Sequence, residues 1–330
     1  MSVPETLYMV IPCYNEEKVL PETARQLKEK YESLMSRNLI SPKSRIVFVN
    51  DGSQDSTWQI IQELHEKKPE FFSGITLSHN SGHQNAVLAG LMTVRDICGV
   101  TITMDADLQD DINAIDEMLE KFYEGYHVVY GVRSARKTDT FFKKFTAGAF
   151  YKFMKAMGAD VIYNHADFRL MSRRVLSELA EFKEVNLFLR GMVPLIGFKS
   201  CSVYYERKER FAGESKYPLR KMLSFAINGI TSFSTKPLKL ITILGFLMSI
   251  ISVIAFIWSF AVKITGLSVL GWSSTICSIW LIGGLQLFCL GIIGEYVGKI
   301  YAEVKARPRF IVEDFLNEVG ADFLGIDDKK

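Results

Sequence analysis

Val100-Thr101-Ile102-Thr103-Met104-Asp105-Ala106-Asp107-Leu108-Gln109 is the stretch on which the fold turns. The first five residues are apolar or β-branched and read as a strand. A two-residue period carried past its end throws Asp105, Asp107 and Gln109 toward one side. Outward from it, residues 7–12, 45–49, 74–77 and 128–130 are further short strand-like runs. Val19, Leu20, Ala24, Leu27, Tyr31 and Leu34 make a helical stripe between the first two. A second helix begins after Ser56, and Ile112, Ile115, Met118, Leu119 and Phe122 give another after the acidic stretch. Strands alternating with helices predict an α/β domain with a mostly parallel, Rossmann-like sheet. Ligands of such sheets gather at the carboxyl ends of strands, where Asn15, Asp51 and residues 105–109 fall.

The composition, 48% hydrophobic and 23% charged, averages over two regimes. Residues 240–262 and 270–293 contain no charged side chain. At about 1.5 Å per residue each run can cross a hydrocarbon core of roughly 30 Å. Lys216, Arg220, Lys221, Lys236 and Lys239 precede the first run and Lys299, Lys305, Arg307 and Arg309 follow the second, while the loop between carries only Lys263. That asymmetry predicts a multi-pass hairpin with both flanks inside. No signal peptide is read at the start, since the apolar residues 8–11 give way at once to Cys13-Tyr14-Asn15-Glu16. The expected organisation is a cytosolic catalytic domain over 1–217, an amphipathic interfacial helix over 218–236, a transmembrane hairpin over 237–297 and a cytosolic tail over 298–330. The bland reading of the helix from Pro218 is an ordinary core helix; its basic start and its place beside an apolar run favour the membrane surface. Five scattered cysteines lack the pairing of a zinc site or a disulfide framework and suit a reducing compartment. A net charge of +2 gives no case for nucleic acid.

Oxygen-bearing side chains at 105, 107 and 109 suit a hard divalent cation, Mg²⁺ or Mn²⁺, shared with substrate phosphates. A lone Asp-x-Asp would by default be a solvated turn capping the next helix. Asp51, at the end of Val47-Phe48-Val49-Asn50-Asp51-Gly52-Ser53, can accept hydrogen bonds from a uracil or ribose edge, though Asp-Gly-Ser alone is ordinary turn chemistry. His79 and His83 lack a third partner and read as structural or substrate-positioning groups rather than metal ligands.

Pro12-Cys13-Tyr14-Asn15-Glu16, the Asp51 segment and residues 105–109 together resemble glycosyltransferase family 2, whose fold is the nucleotide-diphosphosugar-binding GT-A fold. His79-Asn80-Ser81-Gly82-His83-Gln84-Asn85-Ala86, Asp167-Phe168-Arg169-Leu170-Met171 and Gly213-Glu214-Ser215-Lys216-Tyr217 then follow in order ahead of the apolar runs. With them the chain is similar to polyisoprenyl-phosphate glycosyltransferases of the bacterial bactoprenyl (undecaprenyl) type, with dolichyl-phosphate mannose synthase more distant. Asn50 and Asp111 depart from the acid and the proline common at those positions.

The resemblance implies a metal-dependent, inverting hexosyltransferase of the bacterial-type plasma membrane, taking a nucleotide sugar, commonly a UDP-hexose, and a polyprenyl phosphate in the bilayer. By the same implication Pro12, Tyr14, Glu16, Asp51 and Asp105 frame the nucleotide sugar. Asp105, Asp107 and Gln109 hold the metal and diphosphate, Asp167 and Asp107 are the catalytic carboxylates, and Arg133, Arg207, Arg210 and Lys216 meet the acceptor phosphate. The bland reading of Asp167 is a salt bridge with Arg169. A homo-oligomer is left open. A processive polysaccharide synthase is the alternative within enzymes, disfavoured because no tryptophan follows an arginine; a non-catalytic nucleotide-sugar-binding membrane protein is the alternative outside them.

Overall fold

The structure is a computed structural model and describes residues 3–134, 165–186, 188–206, 231, 234–264 and 272–317. Chain order is β1 (Leu7–Cys13), α1 (Leu20–Ser36), β2 (Arg45–Asn50), α2 (Thr57–Lys67), β3 (Phe72–Leu77), α3 (His83–Val94), β4 (Val100–Thr103), α4 (Ala114–Tyr123) and β5 (Val128–Arg133). There follow β6 (His165–Ser172), α5 (Arg173–Ala180), α6 (Leu189–Leu195), β7 (Ser200–Tyr205), α7 (Lys236–Ile264), α8 (Trp272–Lys305) and β8 (Val312–Leu316).

The strands form one mixed sheet in the order β7-β5-β6-β4-β1-β2-β3-β8. β1 pairs in parallel with β2 and β4, β2 with β3, and β5 with β7, while β6 and β8 run antiparallel to their neighbours. Every residue of β1, β2 and β3 is buried, as inner strands covered on both faces require. α1 buries Leu20, Ala24, Leu27, Tyr31 and Leu34, the stripe its spacing predicts. α3 lies close over β1 and β2 because Gly90 has no Cβ; one there would meet Val10 Cγ1 at 2.4 Å and Val49 Cγ2 at 2.8 Å.

The strand expected to reach Met104 ends at Thr103, so alternation does not align the acidic residues. They lie in a turn with Leu108 in the left-handed region at φ 56°, and turn geometry instead sets where they point. β6, β7 and α3 fall where no element was predicted. The segment expected to be a free tail also divides: α8 runs on to Lys305, and Val312–Leu316 is an edge strand on β3. Gly74 makes room for it, as Leu316 Cδ1 would stand 3.3 Å from a Cβ at 74. The Ser78 amide donates to the Ile311 carbonyl at 3.1 Å, and Arg309 Nη2 to that of Phe182 at 2.9 Å.

The chain divides into two compact units. One carries the entire sheet, β8 included; the other contains α7 and α8, helices of 29 and 34 residues that contact each other. Tyr296 of α8 donates its hydroxyl to the Ser234 carbonyl just before α7. Among the described residues no helix is long and apolar enough to cross a membrane. The interfacial helix expected over 218–236 lies almost wholly outside the described residues.

Losing residues 307–330 should bare the β3 edge. Cross-strand pairs contribute roughly 0.2–1 kcal/mol each, so the four β3–β8 pairs amount to about 1–4 kcal/mol. Thermal unfolding should record a fall of at least about 2–4 °C in Tm, together with a rise in aggregation.

Candidate active site

Two loops at the carboxyl ends of β1 and β2 interlock. Asn15, at φ 54°, receives the Gln54 amide on its Oδ1 at 2.8 Å and donates its own amide to Ser53 Oγ at 3.1 Å. Asp55 Oδ2 accepts the Glu17 amide at 3.2 Å, and Glu17 Oε2 accepts that of Ser56 at 3.2 Å. The Glu16 amide donates to Thr57 Oγ1 at 2.9 Å, while its carbonyl receives the amides of Val19 and Leu20 at the start of α1. Pro12 lies in β1 opposite Val49, and Tyr14 is exposed at the loop. A shallow cleft runs along this loop pair, lined by Asn15, Glu16, Lys18, Gln54 and Asp55; neither Asp105 nor Asp167 lines it.

Asp51 is buried behind that loop pair, and its carboxylate is already engaged. Oδ1 accepts the Ser81 amide at 2.7 Å and Oδ2 that of Gly82 at 3.0 Å, which fixes the loop leading into α3. Gly52, at φ 63°, is required here because a Cβ would lie 2.5 Å from the Asn80 nitrogen. Asn50 ties β2 to β3 through Nδ2, which donates to Thr76 Oγ1 at 2.9 Å as an ionised acid could not, and its Oδ1 accepts the Ser53 amide at 3.1 Å.

The loop held by Asp51 delivers His83, the first residue of α3, to the acidic centre. Its Nε2 lies 3.6 Å from Asp105 Oδ1 and 3.4 Å from Asp167 Oδ2. Arg190 of α6 forks onto Asp167, Nε to Oδ1 and Nη2 to Oδ2, both at 3.0 Å. Arg169, two residues along β6, donates Nη2 to Asp167 Oδ1 at 3.0 Å and Nη1 to the Leu189 carbonyl at 3.2 Å. Gln84 Oε1 accepts the Leu189 amide at 3.0 Å, and Thr103 Oγ1 donates to the Asp167 carbonyl. The Asp167–Arg169 salt bridge of the bland reading is present, and two partners that sequence reasoning did not assign to it, Arg190 and His83, join it. Asp107 Oδ1 accepts the Gln109 amide at 3.1 Å within the turn.

Arg133, expected to meet an acceptor phosphate, is held by Asp110: Nη2 donates to Oδ1 at 3.0 Å, and Tyr205 OH reaches the same oxygen at 2.5 Å. Burial opposes the Arg133 charge, but Asp110 and Tyr205 hold its pKa above the ordinary arginine value. Arg207, Arg210 and Lys216 lie outside the described residues.

Burial raises the Asp167 carboxyl, but the hydrogen bond from His83 and the charges of Arg190 and Arg169 outweigh it and leave the pKa well below the usual carboxylate range. Burial pushes Asp105 up to about 6; Asp110, Asp167 and Asp107 add to the rise and only His83 counters it. For His83 desolvation acts against the charge, yet the hydrogen bond to Asp167 and the fields of Asp105 and Asp167 prevail and the pKa rises. The ring keeps 47% of its side-chain surface exposed, and its carboxylate partners together outweigh burial, the largest single influence. Asp105 and Asp107 with Gln109 offer oxygen donors, the chemistry a hard divalent cation takes. Among the described residues no group of three or more His, Cys, Asp or Glu side chains stands ready to hold a metal ion.

The family model for glycosyl transferase family 2 matches residues 8–180, which include the interlocked loops, the acidic turn, Asp167 and Arg169. The chain belongs to glycosyl transferase family 2. A second model, described as the GtrB C-terminal hairpin, matches residues 236–300. Among similar proteins are the uncharacterized glycosyltransferase YkoT of Bacillus subtilis (strain 168), 52% identical over 94% of this chain and 93% of its own. The bactoprenol glucosyl transferase of Shigella phage SfX is 38% identical over 92% and 98%. A prophage bactoprenol glucosyl transferase homolog of Escherichia coli (strain K12) is 37% identical over 92% and 97%. The mixed sheet is GT-A-like, and this member of the family is a transferase.

The shifts have a sign that can be measured. Folded Asp105 binds its proton more tightly than the unfolded chain, so its contribution is present below about 3.8 and is lost as pH rises toward about 6. His83, raised above 6.5, contributes stability that is present below that value and is lost as pH climbs through the folded pKa. In EDTA, Tm should therefore fall between pH 4.5 and 7.5 on account of this pair, and Asp105→Asn should flatten the slope.

Proposed function

We infer that this family 2 transferase moves a sugar, in our reading the hexose of a UDP-hexose, onto a polyprenyl phosphate, with inversion at the anomeric carbon. The observation that carries the reading is the Asp105, His83, Asp167 and Arg190 cluster at the ends of β4 and β6, beside loops of the nucleotide-binding type, in a chain similar over nearly its whole length to bactoprenol glucosyl transferases. Tyr14, Glu16 and the loops tied by Asn15 and Asp51 bind the nucleotide. Asp105, Asp107 and Gln109 would hold Mg²⁺ or Mn²⁺, which when bound neutralises charge on the departing nucleoside diphosphate. A phosphate acceptor is already ionised near neutral pH and needs orientation more than deprotonation. A carboxyl with a depressed pKa suits that task better than proton abstraction. Arg207, Arg210 and Lys216 are proposed to meet the acceptor phosphate together with Arg133.

α7 and α8 are proposed to form a membrane hairpin. They expose Ile243, Phe246, Ile254, Trp258, Phe288 and Leu290, an apolar surface that a water-facing helix pair would not tolerate. Because β8 belongs to the same sheet as β3, the chain entering α7 and the chain leaving α8 both join the catalytic unit. That supports a head and both termini on one side, the cytosolic one.

Purified full-length protein incubated with undecaprenyl phosphate and a panel of UDP- and GDP-sugars should yield a lipid heavier by one anhydrohexose, read by mass spectrometry. Polymer, or no lipid product with any donor, would overturn the reading. Asp107→Asn keeps an oxygen for the Gln109 amide and should fold normally, yet lose at least about 100-fold in kcat/KM, as removal of transition-state electrostatics does. EDTA should silence the wild type equally.

Topology has its own test. With native cysteines replaced, a cysteine at Ser268 should react with an impermeant maleimide in intact cells, whereas cysteines at Ser2 and Asp328 should react only after lysis. Labelling of either terminus in intact cells would sink the hairpin.

A further inference from the structure

α6 is a poor helix by its own sequence. Leu189-Arg190-Gly191-Met192-Val193-Pro194-Leu195 spans seven residues and includes a glycine and a proline. So short a helix is marginal in water even when alanine-rich, and Gly191 and Pro194 weaken it further. Phe188, the residue before it, has no side-chain oxygen with which to cap the first amides. What fixes its start comes from far along the chain. The Leu189 amide donates to Gln84 Oε1 of α3, 105 residues away in sequence, at 3.0 Å. The Leu189 carbonyl accepts Arg169 Nη1 at 3.2 Å, which braces the same residue from β6. Leu189, Met192 and Val193 are buried, so the amide that Gln84 accepts has lost its access to water.

The Gln84 bond closes a ring around Asp167. Asp167 Oδ2 lies 3.4 Å from His83 Nε2, and His83 is the covalent neighbour of Gln84. Gln84 Oε1 accepts the Leu189 amide, Leu189 is the covalent neighbour of Arg190, and Arg190 forks back onto both oxygens of Asp167 at 3.0 Å. Two of the three non-covalent links in this ring involve charge; the third, at Gln84, is neutral. Asp107, Asp110 and Asp167 already bring negative charge to bear on Asp105 beside it. A carboxamide at 84 supplies the acceptor oxygen without adding to that field.

We propose that Gln84 is a positioning residue: it caps α6 from α3 and so holds the Arg190 fork in register with Asp167 and His83. Its effect on catalysis rests on the phosphate-acceptor reading given above, in which Asp167 orients the acceptor. Gln84 acts through that carboxylate and not on a reactant.

Full-length Gln84→Met, which removes the acceptor oxygen and keeps the side-chain length, is compared with Arg190→Lys, which keeps the charge and loses the fork, and with the double variant. In Gln84→Met, peptides covering residues 188–195 should exchange backbone hydrogens at least tenfold faster, while peptides from β1 and β2 stay within twofold of wild type. The kcat/KM for undecaprenyl phosphate should fall at least tenfold, and the Kd for UDP or GDP, read by calorimetry, should stay within twofold. In the Arg190→Lys background, adding Gln84→Met should cost less than threefold, because the fork that Gln84 positions is already broken.

Exchange at α6, or transfer to the lipid, that stays within twofold of wild type in Gln84→Met overturns the proposal. So does an undiminished tenfold loss in the Arg190→Lys background, which would make the two residues independent. A nucleotide Kd that rises as far as the acceptor kcat/KM falls also overturns it, since the defect would then be general. Should Gln84→Met fail to fold, Gln84→Asn, whose amide is one methylene short of Leu189, carries the same comparisons. Absence of any lipid product from the wild type would instead sink the acceptor reading, and exchange at α6 would then decide Gln84.

Discussion

Much of the catalytic unit is arranged around a carboxylate that is mostly removed from water. Asp167 could not stay ionised at 15% exposure without compensation, since an unpaired charge in that setting would cost several kcal/mol. The compensation comes from elements distant in sequence: Arg169 from β6 itself, His83 from the start of α3 and Arg190 from α6. Each must be delivered to within hydrogen-bonding or ion-pair range, and this fixes the ends of those elements relative to β4. Removing one cation would leave the rest of the cluster uncompensated, so α3 and α6 are coupled through a residue that belongs to neither.

The delivery of His83 depends in turn on a second buried carboxylate. Asp51 accepts the amides of Ser81 and Gly82, and Gly52 leaves space for the backbone at Asn80. Asp51 was expected to face the nucleotide, and its engagement with the backbone gives it a prior task, shaping the loop from which α3 starts. The neutral Asn50 beside it fits the same logic. An acid there would need an extra proton to donate to Thr76, and it would place a like charge next to Asp51 in a buried setting.

Legibility in the sequence followed the range of the interaction. β1, β2 and α1 could be read because apolar runs and a helical stripe are local patterns, and each lies within a residue or two of its expected bounds. The pairing of Asp167 with Arg169 could be anticipated from residues two apart on a strand. Arg190 stands 23 residues from its partner, in a short helix with no distinctive period, so nothing local marks it. The acidic residues were aligned by strand alternation, but the strand ends at Thr103 and a turn with a left-handed Leu108 takes over, so turn geometry sets their directions. β8 was missed because a five-residue strand with two acidic residues, Val312–Leu316, carries too weak an apolar signal to stand out.

That missed strand changes how the chain is organised. A linear reading makes the protein a head, an apolar unit and a tail in series, with the tail free to vary. With β8 paired to β3, the apolar unit is instead an insertion in sequence between two parts of one sheet. The return is anchored close in sequence to the loop into α3: the Ser78 amide, three residues before Ser81, donates to the Ile311 carbonyl, and Asp51 accepts the Ser81 amide. The chain that leaves the sheet after β7 thus returns to it at β8, and residues 236–305 lie in sequence between two strands of one sheet rather than ahead of a separate tail.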